Sequence, residues 1–188
     1  MVTGTPGTGK TTFARMLTRE LCGEYFSLGK YITKHQLFSG VDRKRRTKVV
    51  DITRTSGRMR QFNHPDVRPL IVDTHHPEGI VPNNVTTVVF VLRCDPAILI
   101  RRLRRKKWSH EKIRENVMAE ALDSCYITAR SYYTNRKIVQ LDTSHSNVKH
   151  SVETAKNILS GKKAPILTTV NWLGKLENDA SLAKHLGC

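Results

Sequence analysis

Eight consecutive residues, Gly4-Thr5-Pro6-Gly7-Thr8-Gly9-Lys10-Thr11, fit the pattern G-x-x-x-x-G-K-[ST] at every position. The pattern demands a strand before it and a helix after it. Its glycines let the backbone turn so that successive N–H groups point inward as an anion nest. The helix that follows adds its positive end to the same place. Lys10 then reaches the β- and γ-phosphates of a nucleotide, and the Thr11 hydroxyl reaches Mg²⁺. Only Met1, Val2 and Thr3 precede the loop, whereas a strand usually has about five residues. Either the first strand is very short, or the recorded start lies downstream of the true one.

The rest of the chain alternates short β-type runs with helical stretches, which implies an α/β fold, a parallel sheet with helices on both faces. Its 188 residues suit one domain. Phe13, Leu17 and Leu21 at spacing four predict a helix over 10–22, ended by Gly23. A strand is expected at 25–27, a helix at 29–38, and irregular basic chain at 41–63. Leu70-Ile71-Val72-Asp73 reads as a buried strand, 75–84 as a loop with Pro77, Gly79 and Pro82, and 85–92 as the central strand. Asp95-Pro96 opens a helix to about 105, and Ser109 opens a longer one to about 132. A last strand at 138–141 and a helix at 146–160 complete a domain over 1–160, and 161–188 form a basic-to-amphipathic tail.

A phosphate loop works with an acid at the end of a neighbouring strand. Asp73 ends the one strand with so clean a terminal carboxylate, which makes it the candidate metal carboxylate. His75 follows two residues later, on a loop above the strand end where ligands of open α/β sheets bind. An imidazole there can orient a water or a phosphate acceptor. Spacing alone supports that role and a solvated loop histidine equally, while His76 reads as the latter.

Charge narrows the partners. Lys plus Arg number 32 against 16 Asp plus Glu, a net charge of +16, with a pI near 10.1. A polyanion is the expected partner, and an acidic solubilising protein is excluded. No apolar run approaches the ~18–20 residues of a membrane span. The N-terminus carries no basic-then-apolar leader pattern. Cys22, Cys94, Cys125 and Cys188 form no C-x-x-C pair, so neither a zinc ribbon nor a redox dithiol is expected. Together these features suggest a reduced, cytoplasmic setting with no membrane contact. The excess charge sits in two runs. Residues 41–60 hold Arg43, Lys44, Arg45, Arg46, Lys48, Arg54, Arg58 and Arg60. Residues 93–107 hold Arg93, Arg101, Arg102, Arg104, Arg105, Lys106 and Lys107. Both suit an RNA backbone with steep salt dependence. Trp108 and Tyr31 could stack on bases, though core packing is the plainer role for each.

Taken together, several motifs resemble the adenylate kinase isoenzyme 6 family in its archaeal form. They are Gly4 to Thr12, Asp73-Thr74-His75, Val89-Phe90-Val91-Leu92-Arg93-Cys94-Asp95 with Leu99 and Arg102-Leu103, Lys112-Ile113, Glu115-Asn116-Val117 and Ala119-Glu120. The tail segment Val170-Asn171-Trp172-Leu173 is similar to archaeal members as well.

The resemblance implies a P-loop nucleoside-monophosphate-kinase-like sheet of five parallel strands in the order 2-3-1-4-5, with a short lid. It implies ATP–AMP phosphotransfer, often with broad monophosphate use, and a separate ATPase activity, with ATP and Mg²⁺ as cofactors. It also implies a role in late maturation of the small ribosomal subunit, through a small-subunit ribosomal protein next to the 3′ end of its rRNA. Carried over by motif, Gly7, Gly9, Lys10, Thr11 and Thr12 contact ATP phosphates, and Thr11 and Asp73 serve the metal. Lys10, Asp73 and His75 are the catalytic set. Residues 27–50 match the monophosphate segment and 106–115 the lid. Two positions depart from the pattern. The family's lid arginine is replaced in Lys106-Lys107-Trp108, leaving Arg105 or Lys106 to close over phosphates, and Lys lacks bidentate geometry. The arginine expected to hold AMP phosphate falls at Thr33-Lys34, so Lys34 would serve. A monomer is expected. A shikimate-type small-molecule kinase, and a nucleotide-gated RNA- or protein-binding ATPase with little kinase activity, stay open as alternatives.

Overall fold

The computed structural model describes residues 1–43, 47–61, 68–164 and 170–179. Five strands form the central sheet: β1 (Val2–Gly4), β2 (Glu24–Ser27), β5 (Leu70–Asp73), β6 (Val89–Arg93) and β7 (Ile138–Asp142). They are all parallel, in the order β2-β5-β1-β6-β7. Counted within the sheet that is 2-3-1-4-5, the expected order. β1 is only three residues long, yet it is central. It pairs Val2, Thr3 and Gly4 with Phe90, Val91 and Leu92, and Val2 with Asp73.

Strand alternation divides the core between two faces. Val2, Ile71, Phe90, Leu92 and Val139 point to one face, where helices α1 (Lys10–Glu20) and α7 (Val148–Leu159) cover them with Phe13, Leu17, Val152 and Ala155. Val89, Val91 and Ile138 point to the other and meet Ala129 and Tyr133 of the α6 region (Ser124–Tyr132). Val72 joins that second face under α2 (Leu28–Lys34) and α3 (Ile52–Arg60), with Leu28, Ile32 and Met59. A helical hairpin of α4 (Pro96–Arg105) and α5 (His110–Ala121) has its own apolar seam of Leu99, Leu103, Ile113 and Val117. Asp95 caps α4 by accepting from Ala97 N, and Ser109 caps α5 by accepting from Lys112 N.

Four expectations need correction. The described residues of 41–63 are not irregular: β3 (Phe38–Asp42) and β4 (Thr47–Val50) form an antiparallel ribbon, and α3 follows, capped by Asp51 accepting from Arg54 N. Its basic positions 44–46 and Asn63 lie outside the described residues. The second helix stops at Lys34 rather than at 38, because Gln36 turns left-handed with φ 50° and Leu37 N closes the turn on Ile32 O. The long helix from 109 to 132 is two helices, broken where Asp123 adopts φ 56°. The central strand begins at Val89, not 85: Thr86 instead closes a turn on Pro82 O, and Val85 is exposed. In the tail, α8 (Trp172–Asn178) docks on α5 and packs Trp172 against the hairpin seam. Residues 165–169 and 180–188, Cys188 included, lie outside the described residues. No helix among the described residues is long and apolar enough to cross a membrane.

Candidate functional site

β1 ends in Gly4, and α1 begins at Lys10, so the loop between them sits at the carboxyl end of a central strand. Ligands of open α/β sheets bind at that end. Two glycines are required by space as well as by conformation. A Cβ on Gly4 (φ 141°) would lie 2.4 Å from Leu92 O, and one on Gly7 (φ 97°) would lie 2.7 Å from Leu99 Cδ1 of α4. At Gly9 (φ 97°) nothing lies within 4 Å, which leaves open space at the mouth of the loop. Gly9 caps α1 without a side chain, so the first N–H groups of the helix have no side-chain acceptor there. The combination suits a phosphate.

Lys10 is buried at 4% exposure and donates from Nζ to Thr5 O at 3.0 Å. Burial pushes its pKa down to about 8; Cys125, Asp73 and Glu120 work against that shift, and the Lys106 charge adds to it. Thr11 Oγ1 donates to Asp73 Oδ2 at 2.8 Å. Thr11 and Thr12 are exposed, while Asp73 is buried. A hydroxyl and a carboxylate so placed offer two hard oxygen ligands, and among the described residues no group of three His, Cys, Asp or Glu could hold a metal. That set fits Mg²⁺, which keeps waters and takes substrate phosphates rather than a full protein cage.

His75 stands beyond Asp73 and is exposed. The turn before it is fixed: Thr74 N donates to Val2 O, and Thr74 Oγ1 accepts from His76 N. Although water reaches the ring, crowding by the surrounding protein and the nearby Lys10 charge push its pKa down to about 4. His75 is therefore neutral at physiological pH, with a free nitrogen lone pair. The Lys106 charge bears on both Lys10 and His75. Arg105, at the end of α4, is exposed beside it. Lys34 lies exposed in the last turn of α2.

The sequence reading missed several participants. Tyr25 OH donates to Asp73 Oδ2 at 2.8 Å, so two hydroxyls hold the same carboxylate oxygen. Burial, then Asp73, raise the phenol's pKa and keep it a donor. Nothing in the sequence marks this pair, which depends on the register Tyr25↔Ile71 and Ser27↔Asp73. Arg102 reaches Thr143 O at 2.6 Å and Gly7 O at 3.5 Å, joining α4, the loop and the end of β7.

Arg93 is a correction: counted among surface cations, it is 1% exposed. Its Nε donates to Glu120 Oε1 at 2.8 Å, one amine donates to Gln140 Oε1 at 2.5 Å, and the other to Glu120 O and Asp123. Burial works to lower the Arg93 pKa, but Glu120 and Asp123 outweigh it and hold the guanidinium charged. A signal for this pair did exist. Arg93 follows an apolar strand, and Glu120 lies in the same stripe as Ile113, Val117 and Ala121.

Trp108 and Tyr31 both pack against core clusters, as the plainer reading had it. A hollow of about 1390 Å³ lies at the opposite end of the sheet, under Met1, Leu70, Val85 and Val88, and contains none of the site residues.

Comparisons with known proteins bear on the family and the fold. A family model described as AAA domain matches residues 1–123. A protein of Pyrobaculum aerophilum named "Putative adenylate kinase" is 31% identical, over 97% of this chain and 89% of its own. Proteins of the same name from Sulfurisphaera tokodaii and Methanocaldococcus jannaschii are 30% and 26% identical, over 92% and 86% of this chain and 85% and 86% of their own. Among solved structures, shikimate kinase from Bacteroides thetaiotaomicron superposes with a TM-score of 0.58 at 17% identity, over 85% of this chain and 96% of that one. This last likeness concerns the fold alone.

Proposed function

We infer the function from one premise: the chain belongs to the AAA domain family and, within it, to the group of archaeal proteins that bear the adenylate kinase name. On this reading it is a nucleoside monophosphate kinase. It moves the γ-phosphoryl group of ATP to AMP or a related monophosphate, giving two diphosphates, and to water as a second acceptor. The observation that carries the reading is the loop itself. An open glycine nest, a buried lysine and a hydroxyl–carboxylate pair converge at one strand end.

The roles follow from position. Loop amides and Lys10 offset charge on the transferred group. Thr11 and Asp73 would hold Mg²⁺, with Tyr25 fixing the carboxylate. Mg²⁺, when bound, neutralises charge developing on phosphate oxygens. Neutral His75 orients a water, accepting a hydrogen bond from it, or the phosphate acceptor, donating its ring N–H to it. Arg105 and Lys106 close over the phosphates and exclude solvent. Lys34 in the 27–50 segment meets the monophosphate.

The isoenzyme 6 resemblance takes the reading further. The enzyme acts as a cytoplasmic monomer in late maturation of the small ribosomal subunit, beside a ribosomal protein near the rRNA 3′ end. Support comes from Asp73-x-His75, from the Glu115-Asn116-Val117 helix, and from exposed Arg43, Lys48, Arg54, Arg58 and Arg60, which suit an rRNA backbone. A nucleotide-gated ATPase with little kinase activity is the second reading, favoured by Lys34, a lone exposed lysine where a bidentate arginine is expected.

One assay tests both: ADP formation from ATP across a panel of nucleoside monophosphates, with and without rRNA. AMP-stimulated ADP production supports the kinase. Hydrolysis that ignores AMP and responds to rRNA supports the second reading instead.

A further inference from the structure

We propose that Glu120 is a positioning residue for the phosphate loop, setting it through Thr5 from the helix that carries the lid. The inference rests on the nucleotide-kinase reading.

Thr5 is 1% exposed and Glu120 2%. Thr5 Oγ1 donates to Glu120 Oε2 at 2.5 Å across a sequence separation of 115 residues. The other carboxylate oxygen accepts from Arg93 Nε at 2.8 Å and Cys94 N at 3.0 Å. All three partners are donors, so the oxygens are those of a carboxylate anchored at the end of β6. The Thr5 hydroxyl is the piece of the loop that reaches it. Cys125 Sγ, at 4.0 Å, is the other polar atom beside that hydroxyl.

The backbone of Thr5 explains why this contact matters. Thr5 O accepts from Lys10 Nζ at 3.0 Å, from Thr8 Oγ1 at 2.9 Å and from Thr8 N at 3.2 Å. One residue thus fixes the resting place of the lysine and the first turn of the nest, and its side chain is held by Glu120. Glu120 lies on α5, whose opposite end begins at His110 beside the 106–109 turn. α4 braces the same loop through Leu99 and Leu103 beneath Gly7. Both arms of the helical hairpin therefore press on the loop, and α5 does so by a hydrogen bond to a buried charge. An ion pair that served only the fold would need Arg93 and Glu120, not the loop hydroxyl. Movement of the lid end of α5 and the shape of the nest are coupled by this contact.

Thr5→Val removes the hydroxyl at constant volume and leaves the Arg93–Glu120 pair whole; Thr5→Ser keeps the hydroxyl. Dissociation constants for MgATP and for AMP, thermal midpoints, and tryptophan fluorescence are measured on the full chain. Both tryptophans pack on the α4–α5 seam, so their emission reports on the hairpin. Expected for Thr5→Val is a loss of about tenfold in MgATP affinity, the size of one hydrogen bond to a charged group. AMP affinity stays as in wild type, the midpoint falls by a few degrees because Glu120 Oε2 loses its donor in the core, and the fluorescence change at saturating MgATP shrinks. Thr5→Ser recovers wild-type binding to within about twofold.

Wild-type MgATP affinity in Thr5→Val overturns the proposal. So does equal weakening by Thr5→Val and Thr5→Ser, an equal loss of AMP affinity, or a full fluorescence response in Thr5→Val. Failure of the wild-type chain to bind MgATP overturns the kinase reading and this inference with it. Normal wild-type binding with an unaffected Thr5→Val overturns this inference alone.

Discussion

The two basic runs of this chain look alike in sequence and end differently in space. In residues 41–60, every described cation is exposed: Arg43 and Lys48 on the β-ribbon, and Arg54, Arg58 and Arg60 on α3. In residues 93–107, Arg93 is buried in a double ion pair and Arg102 is half-buried on backbone carbonyls of the loop region. Only Arg101, Arg104, Arg105, Lys106 and Lys107 of that run face water. One run is a surface available to a polyanion. The other is partly internal scaffold for the phosphate loop. Net charge of +16 counts both equally, so it overstates what is free to meet a partner.

The sharpest way to break the comparison is at its shared centre. Lys10→Ala removes the buried cation of the loop. Turnover should fall by about 10³-fold, or roughly 4 kcal/mol of transition-state stabilisation, with the thermal midpoint unchanged or raised. Steady-state ADP formation and a thermal melt check this together. Unchanged turnover ends the assignment of the site.

Next in size is the contrast between the runs themselves. Arg93→Met strands Glu120 without its main partner in the core. Breaking a buried pair in this way typically costs about 3–5 kcal/mol, so denaturant unfolding should show most of the protein's stability lost. Arg54 and Arg58 changed together to Gln should shift stability by only about 0.5 kcal/mol or less. That same double variant should lower the salt slope of RNA binding by about 0.7 per cation removed for single strands. If Arg54 and Arg58 destabilise as Arg93 does, the division into surface and scaffold is wrong.

Legibility follows the same division. Lys10, Thr11 and the short first strand could be read from the chain because one spacing rule governs the loop, Asp73 because it closes a clean apolar strand, and the sheet order came with the family resemblance. Phosphate binding needs glycine, lysine and hydroxyl in one local order. The β-ribbon at 38–50 was not legible: Val41 and Val49 are exposed, so its strands show no buried alternation. The break at Asp123 was hidden for another reason. Its left-handed turn accompanies a tertiary contact, the ion pair with Arg93 thirty residues away, and local helix propensity carries no trace of it. Tyr25 is similar, since only strand register brings it to Asp73. Arg93 misled because a charge count does not register burial.

A smaller effect concerns protons. Burial holds Lys10 near a pKa of 8 against an ordinary 10.5. Between those values the unfolded chain keeps a proton that the folded one has released, so this group makes stability rise with pH across that window. Phosphates brought to Lys10 favour its charged form. Nucleotide binding above about pH 8 should therefore take up close to one proton, and below about pH 7 almost none. Titration calorimetry in buffers of different ionisation enthalpy measures the uptake. The exposed run predicts no such proton linkage for RNA, which gives a second contrast between the two regions.

The least effect is expected at the proposed lid and monophosphate positions. The Lys106 charge bears on Lys10 and His75. An arginine at 106 would add a planar, bidentate grip on phosphate that a lysine ammonium cannot give. Lys106→Arg should therefore raise kcat with AMP by a few-fold, since one charge-assisted contact in a partly solvated cleft is worth about 1 kcal/mol. On the proposed assignment of Lys34 to the monophosphate, Lys34→Arg should act on the KM for AMP and leave kcat alone. Initial rates over a grid of ATP and AMP concentrations separate the two. A gain in kcat from Lys34→Arg and none from Lys106→Arg would reverse their roles. The basic run after α4 would then be scaffold throughout, with its closing function passed to the exposed arm.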